Sequence, residues 1–205
     1  MSLLKLRLVI TNKNVKNFLI LISILFTGVV FGQSGYLNGK QPFQKPKEGK
    51  ALVYLIRSGA GALVNFRAYK DDKFLGALVN DDYLIIECEP GEHLFWAVSE
   101  NRDYVEANLE ANKVYVLNIQ GQMGAFIASV SLKQLDPNKK SDKKLFARKI
   151  RNSWAIVYDE SRITEDKSEN IEKGLAKYKE LKAKESSKII KLDPAKAFEN
   201  ADKPN

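Results

Sequence analysis

Residues 82–99 have the sequence DYLIIECEPGEHLFWAVS, and this stretch decides the fold class. Two apolar runs rich in β-branched and aromatic side chains lie on either side of Pro90-Gly91. Proline sets φ at the first central position of a type II turn, and glycine accepts the positive φ at the second. The stretch therefore predicts two β-strands joined by a tight turn.

Short apolar runs of the same kind continue in both directions. Asp71-Asp72 favours a tight hairpin because aspartate tolerates the left-handed conformation, and Ala111-Asn112 has the length of a two-residue hairpin loop. We expect about eight strands, near residues 50–57, 63–70, 73–79, 82–88, 92–99, 104–110, 113–120 and 124–132. With no helical segment among them, they predict an all-β antiparallel sandwich of about seven to eight strands, immunoglobulin-like or barrel-like.

Several of these runs are apolar at nearly every position, as in Val114–Leu117. A strand with only one buried face shows a cleaner alternation of apolar and polar residues. Two explanations stay open at this point. Either the C-terminal segment covers the outer face of the sheet, or an apolar surface is left for a partner.

The segment 136–205 predicts a charged, mostly helical tail. Ile171, Leu175, Tyr178 and Leu181 recur at helical spacing within residues 165–185. Before this helix, Leu145, Phe146 and Ile150 are expected to form a short helical stripe together with Trp154, and residues 154–158 are expected to be a last strand or a docking segment. After Lys191 the chain is polar and is expected to fray.

The N-terminal residues have the layout of a secretory signal peptide. Four basic residues precede an apolar run from Phe18 to Phe31, and no acidic residue occurs before Glu48. The run is shorter than the roughly 20 residues of a membrane-spanning helix, so we expect cleavage near Gly32-Gln33. An uncleaved membrane anchor is the first alternative and a buried core helix the second. Residues 33–49 then predict a flexible linker to a domain at 50–135.

Charge and cysteine content narrow the functional class. The net charge of +8 divides into about +4 for residues 1–32, +3 for the linker, −5 for the central stretch and +6 for the tail. This asymmetry argues against a nucleic-acid-binding protein.

Cys88 is the only cysteine, so no intramolecular disulfide can form. No cysteine follows the apolar run, and the exported protein, periplasmic or extracellular, is therefore predicted not to be lipidated.

Few residues qualify as candidates for a site. Cys88 and His93, the only histidine, form a conceivable thiol–imidazole pair across the Pro90-Gly91 turn, although an inert thiol and an ordinary strand histidine are the simpler interpretations. Asp71-Asp72 and Asp81-Asp82 supply carboxylates of the kind that bind Ca²⁺, but aspartate is also a common turn former. A basic cluster comprises Lys139, Lys140, Lys143, Lys144, Arg148, Lys149 and Arg151. The pattern nominates no catalytic residue, metal ligand or cofactor.

Five pieces of the chain carry a resemblance to a known family: Lys50–Arg57, Phe74–Gly76, Glu89–His93, Leu109–Tyr115 and Met123-Gly124. Over about residues 50–135 the chain resembles the bacterial family of exported proteins catalogued as domain of unknown function 2846. The resemblance implies export and a compact β-sandwich. It brings no active site, so it assigns no functional residue.

The leading hypothesis is an exported, non-enzymatic β-sandwich protein that acts as a binding or interaction module in the bacterial envelope or outside the cell. An envelope protein or surface polymer is the expected partner, with weak contact of the basic tail to an anionic membrane surface. One alternative is a small thiol-dependent or hydrolytic enzyme that uses Cys88 and His93. Another is a carrier of a small apolar ligand inside a barrel.

Overall fold

The computed structural model describes residues 36–39, 41–59, 65–79, 82–123, 128–158, 163 and 167–199. The predicted signal peptide at residues 1–32 lies outside this part of the chain. In chain order the elements are β1 (Tyr36–Gly39), β2 (Ala51–Gly59), β3 (Phe66–Lys70), β4 (Lys73–Leu78), β5 (Asp82–Cys88), β6 (Gly91–Val98), β7 (Arg102–Leu109), β8 (Val114–Met123), β9 (Ala128–Gln134), α1 (Lys140–Asn152), β10 (Trp154–Tyr158), α2 (Ser168–Ala183), β11 (Ile189–Lys191) and a 3₁₀ turn (Pro194–Lys196).

The strands form two sheets, which confirms the predicted sandwich with a helical extension. A six-stranded sheet has the order β1-β10-β5-β2-β8-β9, and a five-stranded sheet has the order β11-β7-β6-β3-β4. Neither sheet closes on itself, so the barrel-like variant of the prediction is wrong. The predicted strand positions agree with β2 to β9 to within a few residues, because their turn residues are visible in the sequence.

The sheets are mixed rather than wholly antiparallel. β2 runs parallel to β8, β10 runs parallel to β5, and β11 runs parallel to β7. Parallel neighbours require a long connection, and each of these pairs joins segments that are far apart in the chain. Strand order of this kind depends on tertiary pairing, which the pattern of a single strand does not contain.

The turns around residues 90 and 112 join the two sheets. Asn112 has φ 62° and Gly91 has φ 117°, in agreement with the expected need for residues that tolerate positive φ. However, β5 and β6 lie in different sheets, as do β7 and β8. These links are therefore corners of the sandwich, not the hairpins that the sequence predicted. Asp71, with φ 52°, does close a true hairpin between β3 and β4.

The space between the sheets is filled by apolar side chains. Leu55, Phe66, Phe95 and Leu117 are among the core residues with almost no exposed surface. Arg57 is also fully buried here, where its Nη1 donates to the carbonyl oxygen of Leu78 at 2.8 Å and its guanidinium lies 4.3 Å from the centre of the Phe66 ring. The hypothesis of a carrier for a small apolar ligand stays a prediction.

The tail covers the outer faces of both sheets. α1 packs on the outer face of the six-stranded sheet, where Phe146 contacts the rings of Tyr54 and Phe198 at centroid distances of 5.1 Å. α2 packs on the five-stranded sheet, where Leu175 lies against a cluster that includes Trp96. This double cover explains why the strands are apolar on both faces, and it removes the need for a partner that covers them.

Two predicted boundaries are wrong. Residues 36–39 of the predicted linker form β1 at the edge of the six-stranded sheet, and Phe43 packs against Tyr54. The tail does not fray after Lys191, because Leu192 and Phe198 are buried and the Phe198 N–H donates to the carbonyl oxygen of Val114 at 2.7 Å. Long-range contacts hold both segments, although their local composition is that of loops.

Candidate functional site

Cys88 ends β5 with its side chain in the core between the sheets. The thiol is free and buried, and its Sγ lies 3.9 Å from the carbonyl oxygen of Ile86. Burial raises the pKa of the Cys88 thiol to about 12. Since the thiolate is the reactive form, this environment disfavours a nucleophilic role for Cys88.

His93, at the start of β6, has both ring nitrogens engaged. Nε2 lies 2.8 Å from the carbonyl oxygen of Glu89, which can only accept a hydrogen bond. Nδ1 lies 3.4 Å from the Lys70 Nζ and 3.2 Å from the Asp71 Oδ2. In the neutral ring, Nε2 therefore donates to Glu89 and Nδ1 is left to accept from Lys70. This arrangement leaves no ring nitrogen for a thiol.

Cys88 and His93 line the same shallow cleft of about 250 Å³, together with Lys50, Lys70 and Lys73. Within the part of the chain that the structure describes, no hydrogen bond joins the thiol to the imidazole. Thiol labelling of the native protein remains the test of the thiol-enzyme hypothesis, and an unreactive Cys88 would end it.

Asp71 lies in the turn of the β3–β4 hairpin and holds it against β6. The Asp71 Oδ1 accepts from the Leu94 N–H at 2.8 Å, and the Asp71 carbonyl oxygen accepts from the Trp96 Nε1 at 3.0 Å. Burial acts to raise the pKa of Asp71, but hydrogen bonds from the Leu94 N–H and the Lys70 ammonium group help to lower it overall. Asp82 is buried, and Asp81 lies outside the described residues. Among the described residues, no group of three or more His, Cys, Asp and Glu side chains has the geometry to hold a metal ion.

A second ionisable cluster joins α2 to β7. The Tyr178 hydroxyl donates to the Glu106 Oε1 at 2.5 Å, and the Lys182 Nζ lies 2.9 Å from the same oxygen and 3.0 Å from the Tyr178 hydroxyl. The cluster borders a cleft of about 420 Å³ that His93 and Asp71 also line. It therefore fastens the end of α2 over the sheet.

The electrostatics of this cluster favour the observed protonation states. Hydrogen bonds from Tyr178 and Lys182 lower the pKa of Glu106, and burial together with the hydrogen bond to Glu106 raises the pKa of Tyr178. A charged carboxylate and a neutral phenol are thus the stable forms at neutral pH. Sequence reasoning missed Glu106, because its partners are more than 70 residues away in the chain and no local pattern links them.

The predicted basic cluster folds into α1 and divides between its two faces. Lys139, Lys140, Lys144, Arg148 and Arg151 are exposed, Lys143 is half-buried and Lys149 is buried. Lys149 therefore does not contribute to the exposed part of the predicted basic cluster. The face toward the sheet carries Asp142, Phe146, Lys149 and Ile150, and the opposite face is basic.

The single acidic residue of α1 does not offset this charge at the surface. Asp142 is 6% exposed, and its carboxylate accepts from the Asp136 N–H at 3.1 Å and from the Ser141 hydroxyl at 3.1 Å. Within the described residues, Lys140, Lys144 and Arg148 form no ion pair. The exposed face of α1 therefore presents a surface of basic residues.

No family model matches the chain, and neither a curated protein nor a solved structure matches it. The resemblance to the exported domain family stays a prediction, as does the export that it implies. Among the described residues, no helix has both the length and the apolar character needed to cross a bilayer.

Proposed function

We propose that this chain is an exported, non-enzymatic binding module that contacts an anionic partner through the exposed face of α1. One observation carries the proposal. Residues 139–151 contain seven basic residues and one acidic residue, and that acidic residue, Asp142, is buried. The whole +6 excess of the tail therefore lies in this one segment, on one side of the molecule.

Concentrated positive charge of this kind repels itself and attracts anions over distances set by the Debye length, about 8 Å at physiological ionic strength. A helix whose role was only to cover a sheet would gain no stability from such a concentration of positive charge. α2 has the same covering role, and several surface charges on it and at its C-terminal end are paired, as in Lys173–Glu169 at 2.5 Å and Lys184–Glu180 at 2.8 Å. The excess of positive charge on α1 therefore favours a function beyond packing.

Two further features support the non-enzymatic part of the proposal. The only thiol is buried with a raised pKa, and the only histidine is held by Glu89, Lys70 and Asp71.

The proposal of export rests on the basic N-terminal residues and the apolar run at residues 18–31. Intact-mass measurement of the protein from its native host tests it: a mature chain that begins near Gln33, without lipid, is expected.

The binding test compares two triple variants of the mature protein. Lys140→Gln/Lys144→Gln/Arg148→Gln removes three charges from α1, and Lys173→Gln/Lys177→Gln/Lys184→Gln removes three from α2 as a matched control. Retention on a negatively charged polymer matrix should fall strongly for the first variant and little for the second. Equal retention of the two variants would contradict a specific role of α1.

A further inference from the structure

The charges on α1 form a row. Lys140, Lys144 and Arg148 follow one another at intervals of four residues, and Arg151 continues on the same side of the helix. With a rise of about 1.5 Å per residue, neighbouring charges in the row are about 6 Å apart, and the row spans about 17 Å from end to end. The charges thus repeat along a line instead of surrounding a single point.

The same face lacks apolar groups that could enter a membrane or stack on bases. Phe146 and Ile150 point to the sheet, and Leu145 is half-buried beside them. The exposed Trp154 does not extend the row, because it alternates along β10 with Ala155, which lies beneath α1. An interfacial membrane helix inserts large apolar side chains, and single-stranded nucleic acid is bound by aromatic platforms. Neither device is present on this face.

We infer that the row binds a linear acidic polysaccharide that lies along the helix axis, with one carboxylate on each sugar unit. The inference rests on the proposed function and names the partner class of the same surface. A periodic row of cations fits a periodic row of anions, since each added contact releases further counterions. Arg148 can hold a carboxylate through two parallel N–H donors, whereas each lysine acts as a point charge.

Oligogalacturonates of defined length test the match, because they carry one carboxylate on each unit. Affinity of the mature protein should rise steeply from the monomer through the dimer to the tetramer and then level off, once the oligomer is as long as the row. The logarithm of affinity for the octamer should fall with the logarithm of salt concentration with a slope of about 3, since each of the four cations of the row contributes somewhat less than one.

A variant with the same net charge as the wild type distinguishes the effect of the row's arrangement on affinity from the effect of total charge. Lys144→Gln/Ala176→Lys moves one charge from the middle of the row to the exposed surface of α2, since Ala176 is exposed there. Affinity for the octamer should drop about fivefold, the effect expected for one cation near an anionic surface, while the dimer is affected less. An unchanged affinity for the octamer would overturn the inference.

The outcomes distinguish this inference from the proposed function beneath it. If the galacturonate monomer binds as well as the octamer, the row has no role, although the basic face still binds anions. If phosphatidylglycerol vesicles or a single-stranded oligonucleotide bind more tightly than every oligogalacturonate, the partner class is wrong. If no anion of any kind distinguishes the α1 triple variant from its α2 control, the proposed function fails as well.

Discussion

The two helices of the tail do the same structural work with different surfaces. α1 covers the outer face of the six-stranded sheet, and α2 covers the outer face of the five-stranded sheet. Toward solvent, α2 carries alternating charges joined in pairs such as Lys177–Glu180 at 2.8 Å. α1 presents basic residues, and its acidic residue points inward. The contrast shows that a helix can cover a sheet without carrying a row of like charges on its exposed face.

The helices also differ in how they are fastened. α1 is held by ring packing, with Phe146 fully buried among Phe43, Tyr54 and Phe198. α2 lies closer to its sheet at one point and adds polar contacts: the Tyr104 hydroxyl donates to the carbonyl oxygen of Gly174 at 2.8 Å. Changes in the two helices should therefore destabilise the protein by different mechanisms.

The largest expected effect is at the anchor of α1. Phe146→Ala removes a ring with no exposed surface and leaves a cavity among three aromatic side chains. We expect the free energy of unfolding to fall by about 3–5 kcal/mol, measured by urea denaturation followed by circular dichroism. Phe146→Leu is the control and should lose less, because it fills more of the cavity. A loss below 1 kcal/mol for the alanine variant would mean that α1 is not an integral layer.

The next largest effect on stability is expected at Gly174, where α2 lies directly against Trp96 of the five-stranded sheet. A Cβ atom at Gly174 would lie 2.3 Å from the Trp96 Cη2, a distance that a buried indole can relieve only if the helix moves. Gly174→Ala ordinarily stabilises a helix by about 1 kcal/mol, but here overpacking should reverse the sign and cost about 1–3 kcal/mol. Denaturation followed by tryptophan fluorescence measures it.

The matched control for this position is Ala176→Gly, in the same helix but exposed. It should lose only the propensity difference of about 1 kcal/mol. If Gly174→Ala proved more stable than the wild-type protein, α2 would not sit against Trp96 as the structure has it.

A smaller effect concerns pH and the cluster at Glu106. The pKa of Glu106 is lowered in the folded protein by hydrogen bonds from Tyr178 and Lys182. A carboxyl group with a depressed folded-state pKa adds stability above its ordinary pKa of 4.5, and loses it as the pH falls through the folded value. The stability difference between wild type and Glu106→Gln should therefore be present at neutral pH and vanish in acid.

Urea titrations of both proteins between neutral and acidic pH measure this difference. Glu110→Gln is a suitable control, because Glu110 is an exposed glutamate close to the same sheet edge in the chain. A Glu106→Gln difference that persisted unchanged in acid would show that packing, not charge, is responsible.

The smallest effect on stability is expected from the charges themselves. The α1 triple variant should unfold at the same temperature as wild type or slightly higher, since it removes repulsion among cations that have no acidic partner on their face. The α2 triple variant should unfold at a slightly lower temperature, because it breaks exposed ion pairs, which are individually weak. Differential scanning calorimetry at low salt measures both, and opposite signs would contradict the comparison.

Much of the local structure was predictable, and the limits have physical causes. The strands from β2 to β9 follow from apolar runs and turn residues, and α2 follows from the spacing of Ile171, Leu175, Tyr178 and Leu181. Residues 154–158, expected to be a last strand or a docking segment, form strand β10. The parallel pairs and the strands β1 and β11 did not follow from the sequence, because they join distant segments. At the candidate surface, the basic residues were visible in the sequence. The inward position of Lys149 and Asp142 was not predicted, because it depends on which side of α1 the sheet occupies.

By itself, the sequence determined a sandwich of short strands, a helical extension, an excess of positive charge in residues 139–151 and a single cysteine without a disulfide partner. These properties depend on the composition and the local periodicity of short segments, which do not depend on how distant segments pair. Only the tertiary structure decided that the tail supplies two covering layers and strands to both sheets. It also decided that four of these basic residues form one exposed row, because the apolar face of α1 must lie on the sheet and turns the row outward.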